Sequence, residues 1–141
     1  YGINGNGKAA IVRTKGNEDT HVILRGSKYG TNYDSRSIND MKNTLKNKNL
    51  RENVMVDCSH GNSNKNYKNQ MNVIDYIAIL LSKNNDAVMG FMVESNLVEG
   101  KQKLVFGEAD KLEWGKSITD SCVNMEETEE MIKKIYSTLN F

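Results

Sequence analysis

Short apolar, β-branched runs alternate along this chain with stretches whose apolar residues recur every three or four positions. The first run, residues 20–24, reads Thr-His-Val-Ile-Leu and ends at Arg25-Gly26. A polar loop follows to Asp34, which stands where a helix N-cap is expected. Ile38, Met41 and Leu45 then fall on one helical face. The pattern recurs. Residues 53–60 form a short strand ending in polar side chains, and after the loop 61–66 the residues Tyr67, Met71, Ile74, Ile77, Ala78 and Leu81 line one stripe of a helix. Residues 86–93 are nearly all apolar, which predicts a strand buried on both faces and stopping at Glu94. Residues 117–120 predict a last strand. A terminal helix over about 126–139 follows it, with acids in its first turns, Lys133 and Lys134 later, and Met131, Ile132, Ile135 and Leu139 turned inward.

Strands alternating with helices predict an α/β fold with a parallel sheet, because each crossover returns the chain to the same edge direction. Residues 95–116 break the alternation. They are polar and Gly-interrupted with no sustained period, and a connection of that length reads as a functional loop. Residues 1–16, with Gly at 2, 5, 7 and 16, read as one or two hairpins. The piece Gly5-Asn-Gly7-Lys-Ala-Ala10 has the spacing G-x-G-x-x-A. It lacks a strand before it and a helix after it, so it reads as a hairpin turn rather than a dinucleotide loop.

Composition narrows the function classes. The 141 residues make one domain's worth of chain, with 19 Lys and Arg against 18 Asp and Glu. A net charge of +1 gives no electrostatic footprint for a nucleic-acid backbone. No apolar run approaches the roughly 20 residues that span a bilayer, and no signal peptide is legible. Two cysteines, Cys58 and Cys122, are too few for a disulfide framework and read as reduced thiols, which predicts a cytoplasmic protein without nucleic-acid or membrane partners.

Each predicted strand ends on a chemically capable side chain: Arg25, His60, Glu94 and Asp120. In parallel α/β folds the loops at the carboxyl edge converge on the active site, so four residues distant in sequence can meet. An imidazole and two carboxylates suit a divalent metal such as Mn, Fe, Co or Zn. A guanidinium suits a phosphate or carboxylate through a bidentate fork. Each residue also has a plainer reading. His60 could be a surface histidine, Asp120 a turn cap and Arg25 a solvated strand end. Glu94 is harder to dismiss, since it terminates an apolar strand where an unpaired carboxylate is costly. Cys58 lies two residues before His60 and reads as a small buried thiol rather than a ligand. His21 lies at the wrong end of its strand. Trp114 and Tyr136 read as packing residues.

Four ordered segments carry a resemblance: His21-Val-Ile-Leu-Arg25-Gly26, Asp57-Cys-Ser-His60-Gly-Asn-Ser-Asn-Lys65, Met92-Val-Glu94-Ser and Gly115-Lys-Ser-Ile-Thr-Asp120-Ser-Cys122. Together they closely resemble the C-terminal part of the type I 3-deoxy-D-arabino-heptulosonate 7-phosphate (DAHP) synthase family. Gly30-Thr-Asn-Tyr-Asp34 and Ser59-His60-Gly-Asn-Ser-Asn-Lys65 look most like its fungal members. The resemblance implies the C-terminal half of a (β/α)8 barrel, its last four strands, preceded by a β-hairpin: residues 1–16 in a regulatory hairpin and 17–141 in the half-barrel. It implies condensation of phosphoenolpyruvate with erythrose 4-phosphate at the head of the shikimate pathway. His60, Glu94 and Asp120 would be metal ligands, Asp120 would also face substrate, His60 would be catalytic, and Arg25 would take the phosphoenolpyruvate phosphate. The loop 95–116 would overhang the barrel mouth. Tyr1 and Gly2 would border the pocket for an inhibitory aromatic amino acid.

A complete barrel takes about 250 residues. The family's fourth ligand, a cysteine, its Lys-Pro-Arg-Thr motif and its further phosphoenolpyruvate contacts belong to the N-terminal half and have no counterpart here. The expectation is therefore a segment of a longer polypeptide that assembles as a dimer or tetramer. The 141 residues alone would be inactive and poorly monodisperse, because half a barrel leaves open strand edges. Two other readings stay open at this stage: a related phosphoenolpyruvate-condensing enzyme such as the octulosonate or sialic-acid synthases, and a non-catalytic half-barrel module.

Overall fold

A computed structural model describes residues 1–83 and 86–139. Its centre is a parallel sheet of β3 (Val22–Leu24), β4 (Val54–Asp57) and β5 (Val88–Met92), in that spatial order. Before it comes an antiparallel hairpin, β1 (Gly2–Ile3) with β2 (Ala9–Ala10), pairing Gly2 with Ala10 and Ile3 with Ala9. The Asn4 side chain organises its turn by accepting from the Asn6 and Lys8 N–H groups, and Gly7 takes the left-handed conformation the turn requires. The G-x-G-x-x-A piece is thus a hairpin turn, as its context predicts.

Helix α1 (Ser35–Asn47) returns the chain from β3 to β4, and α2 (Gln70–Ser82) returns it from β4 to β5. Asp34 is the N-cap of α1: its Oδ1 accepts from the Ser37 N–H at 3.0 Å and its Oδ2 from the Ser37 hydroxyl at 2.6 Å. Those two bonds hold the Asp34 carboxyl below its usual range. Asp34→Ala should therefore cost about 1 kcal/mol, measurable by urea unfolding at pH 7. A depressed folded-state pKa gives stability that is complete above the unfolded value of 3.8 and lost as pH falls through the lower folded value. The variant and the parent should thus converge in strong acid, and a gap that persists there would remove the capping account.

One core joins sheet and helices. Leu24, Val54 and Val56 turn inward from the strands, Ile38 and Leu45 from α1, and Val73, Ile74 and Ile77 from α2. Met131 and Ile135 enter it from α3 (Met125–Tyr136), which packs on α2. The cap of α3 is Asn124, which accepts from the Glu127 N–H while the Glu127 carboxylate accepts from the Asn124 N–H. Ile132 and Leu139, expected inward, are exposed: the buried face of α3 holds only Met131 and Ile135, and the helix ends at Tyr136, before Leu139.

Two strands differ from expectation. Residues 86–93 do not form a strand buried on both faces. Val54 pairs with Val88 but Met55 pairs with Gly90, so Met89 is an extra residue in the ladder and stands half exposed. The last strand is β7 (Lys116–Ser117), shorter than 117–120, and it joins no three-stranded sheet. It pairs in parallel with β6 (Val98–Lys101), which lies inside the expected loop together with a 3-10 turn over Ala109–Lys111. Four residues interrupted by Gly100 at φ 83° carry no periodicity for a sequence to display. The tie back to the main sheet is one step further on, a parallel bridge between Ser95 and Val123.

Candidate metal and anion site

His60, Glu94 and Asp120 come from three separate loops at the carboxyl ends of β4, β5 and β7, and they meet. His60 Nε2 lies 3.8 Å from Glu94 Oε1 and 3.7 Å from Asp120 Oδ2. One donor atom from each residue lies within 4.8 Å of the others. Ligands sharing one first-row cation at about 2.1 Å each sit roughly 3–4 Å apart, so imidazole, carboxylate and carboxylate at this spacing fit one divalent ion.

Asp57, the last residue of β4, prepares the imidazole. It is 2% exposed, and its Oδ2 lies 2.7 Å from His60 Nδ1 while its Oδ1 accepts from the Ser59 N–H at 2.8 Å. A carboxylate there keeps the ring proton on Nδ1 and turns the Nε2 lone pair toward Glu94 and Asp120, the usual device for orienting a ligating histidine. His60 itself sits at φ 49°, in the left-handed region.

The loops after β3 and β4 rest on each other, backbone against backbone. A Cβ on Gly26 would lie 2.6 Å from the Asn62 nitrogen and the Gly61 carbonyl carbon, and one on Gly61 would lie 2.5 Å from the Ser27 nitrogen. The buried Asn62 side chain ties the same loops together. Its Nδ2 donates to Leu24 O and Asp57 O, and its Oδ1 accepts from the Asn32 N–H. Asn32 in turn accepts from the Gly26 N–H at 2.7 Å. Arg25 and His60 therefore share one scaffold.

Both residues line a cavity of about 670 Å³ together with Asp120. Three lysines stand at its wall, Lys28, Lys65 and Lys101, the last supplied by β6. The lining thus combines an imidazole and a carboxylate, His60 and Asp120, with four cationic side chains, a surface suited to a phosphorylated anion beside a metal.

Sequence reasoning had no role for Asp57, Asn62 or the three lysines. Asp57 left a signal, a carboxylate ending an apolar strand three residues before a histidine. Lys101 left none, because its strand was not visible. Tyr1 and Gly2 lie in the hairpin, with Tyr1 fully exposed and Gly2 paired to Ala10. Trp114 and Tyr136 are exposed rather than packing in the core, and His21 is exposed just before β3.

Neither cysteine is prepared for metal binding. Burial pushes the Cys58 thiol up to about 12, and burial raises Cys122 as well. A buried thiol in this state is inert. Native protein at pH 8 should leave both unmodified by a thiol reagent and should titrate both once denatured; rapid native labelling of Cys58 would contradict this.

The DAHP synthetase I family model matches residues 3–133. The chain belongs to the DAHP synthetase I family. It is 45% identical over 137 residues to the tyrosine-inhibited phospho-2-dehydro-3-deoxyheptonate aldolase of Candida albicans, covering 95% of this chain and 37% of that protein. It is 38% identical over 139 residues to the Tyr-sensitive enzyme of that name from Escherichia coli, covering 99% of this chain and 38% of that one. The structure of the Francisella tularensis phospho-2-dehydro-3-deoxyheptonate aldolase superimposes with a TM-score of 0.83 at 38% identity, over 96% of this chain and 39% of that chain. The chain thus spans little more than a third of the length of these DAHP synthetase relatives. Among the described residues no helix is long and apolar enough to cross a membrane.

Proposed function

We propose that these residues are the C-terminal half of a (β/α)8 barrel that joins phosphoenolpyruvate to D-erythrose 4-phosphate, with water, giving DAHP and inorganic phosphate. The observation that carries this reading is the meeting of His60, Glu94 and Asp120, two of which, His60 and Asp120, line one cavity with Arg25. Family membership supports the heptulosonate product over the octulosonate and sialic-acid alternatives. The coverage of the relatives supports a longer polypeptide whose N-terminal half completes barrel and site. Residues 1–16 belong to a regulatory hairpin in this reading and 17–141 to the half-barrel.

His60, Glu94 and Asp120 hold the divalent ion, which when bound supplies Lewis acidity to the sugar aldehyde. The rest is done by protein side chains. Arg25 forks onto the phosphoenolpyruvate phosphate and orients the enol carbon, converting an encounter in solution into a positioned attack. Asp57 engages Nδ1 and so orients His60 with Nε2 toward the two carboxylates. Lys28, Lys65 and Lys101 offset the charge of two phosphorylated substrates. Asp120, at the open side, faces the incoming sugar. Relatives carry names such as tyrosine-inhibited and phenylalanine-inhibited, and this supports an aromatic amino-acid pocket bordered by Tyr1 and Gly2. A dimeric or tetrameric cytoplasmic enzyme completes the proposal.

The test is phosphate release from phosphoenolpyruvate by the full-length protein. It should require both a divalent metal and an aldose phosphate, with the four-carbon sugar preferred across a panel of aldose phosphates. Equal turnover with a five-carbon acceptor, or turnover undiminished by chelation, would sink the reading.

A further inference from the structure

Gln70 opens α2 and is wholly buried, at 0% exposed. A primary amide in such a place is costly unless both its ends find partners. Both partners are on one residue. Gln70 Nε2 donates to Glu94 O at 3.0 Å, and Gln70 Oε1 accepts from the Glu94 N–H at 2.8 Å. The reversed amide would set donor against donor, so the pairing fixes the side-chain orientation.

Glu94 needs this partner. The ladder between β4 and β5 ends at the pair of Asp57 with Met92, closed by the Cys58 N–H donating to Met92 O. Two residues later Glu94 has left the sheet. Its carbonyl also accepts from the Val123 N–H at 3.0 Å, on the segment that follows Asp120. The Glu94 peptide is therefore gripped from one side by a helix and from the other by the chain carrying the second carboxylate.

We infer that Gln70 is a positioning residue that stands in for the missing strand neighbour of Glu94 and so aims its carboxylate at His60 Nε2 and Asp120. The inference rests on reading those three residues as metal ligands. A purely packing role is the competing account, and it predicts lost stability with unchanged metal affinity.

The test is titration of full-length protein with Mn²⁺, comparing the parent with Q70L, Q70E, V73A and H60A. Q70E keeps the shape but loses the donor; Val73, an apolar residue buried on the same helix, serves as the packing control. Q70L and Q70E should each weaken Mn²⁺ binding by about 10-fold or more, and V73A should bind like the parent even though it unfolds more easily. If Q70L does not fold, Q70E decides. Parental affinity in Q70E, with binding lost in H60A, overturns the inference and leaves the metal site standing. An equal loss in V73A also overturns it, in favour of packing. Parental affinity in H60A removes the metal reading itself.

Discussion

Replacing His60 with alanine should abolish tight divalent-metal binding and lower turnover of the full-length protein by at least about 10²-fold. The magnitude follows from Lewis-acid stabilisation worth several kcal/mol, at 1.36 kcal/mol per tenfold in rate. His60 is the one nitrogen donor of the three and lies within 3.8 Å of each carboxylate. Without it only the two carboxylates of the group remain. Asp57→Ala should give a milder version of the same defect, since the ring remains but loses the bond at 2.7 Å that sets its tautomer; a loss of about 10–100-fold in metal affinity is expected. Isothermal titration with Mn²⁺ alongside a phosphate-release assay separates the two variants. Turnover in His60→Ala equal to the parent would remove the metal from the mechanism.

Gly26→Ala should be the most damaging single methyl in the chain. Two penalties coincide. Gly26 sits at φ +68°, where an L side chain is strained, and its Cβ would overlap the Gly61–Asn62 backbone at 2.6 Å. Overpacking and the left-handed conformation together should cost about 3 kcal/mol. Gly107→Ala is the control, because Gly107 has φ +83° but nothing near its Cβ; it should lose only about 1 kcal/mol. Urea unfolding of both reads the difference. Equal losses would mean that strain alone operates and that the two loops can part without harm. The obstruction at Gly26 is backbone, which cannot swing aside as a side-chain end can, so relief requires moving the loop that bears His60.

The contrast between these two glycines shows where sequence reading stops. Arg25, His60, Glu94 and Asp120 could be picked out because each follows an apolar, β-prone run, and a parallel sheet sends such ends to one edge. The three helices were legible from apolar spacing and from Asp34. What escaped was everything that depends on a partner far along the chain. Gln70 reads as an ordinary polar residue at a helix start, and only the fold places Glu94 against it. Asn62 is one of 19 asparagines, and nothing local marks it as a brace between β3 and β4. Strand β6 was invisible for a related reason: Val98–Lys101 is a strand because Lys116–Ser117 lies beside it, not because its own four residues favour one. Met89 escaped because an apolar run cannot announce which of its members will be extruded from the ladder.

The resting of one glycine on another has a bearing on selectivity. Backbone rests on backbone where the two loops meet, and the Asn62 side chain clamps them, so the main chain carrying Arg25 keeps its spacing from the main chain carrying His60. The two loops work as a rigid caliper, so a ligand held between them meets a fixed span and is selected by its length.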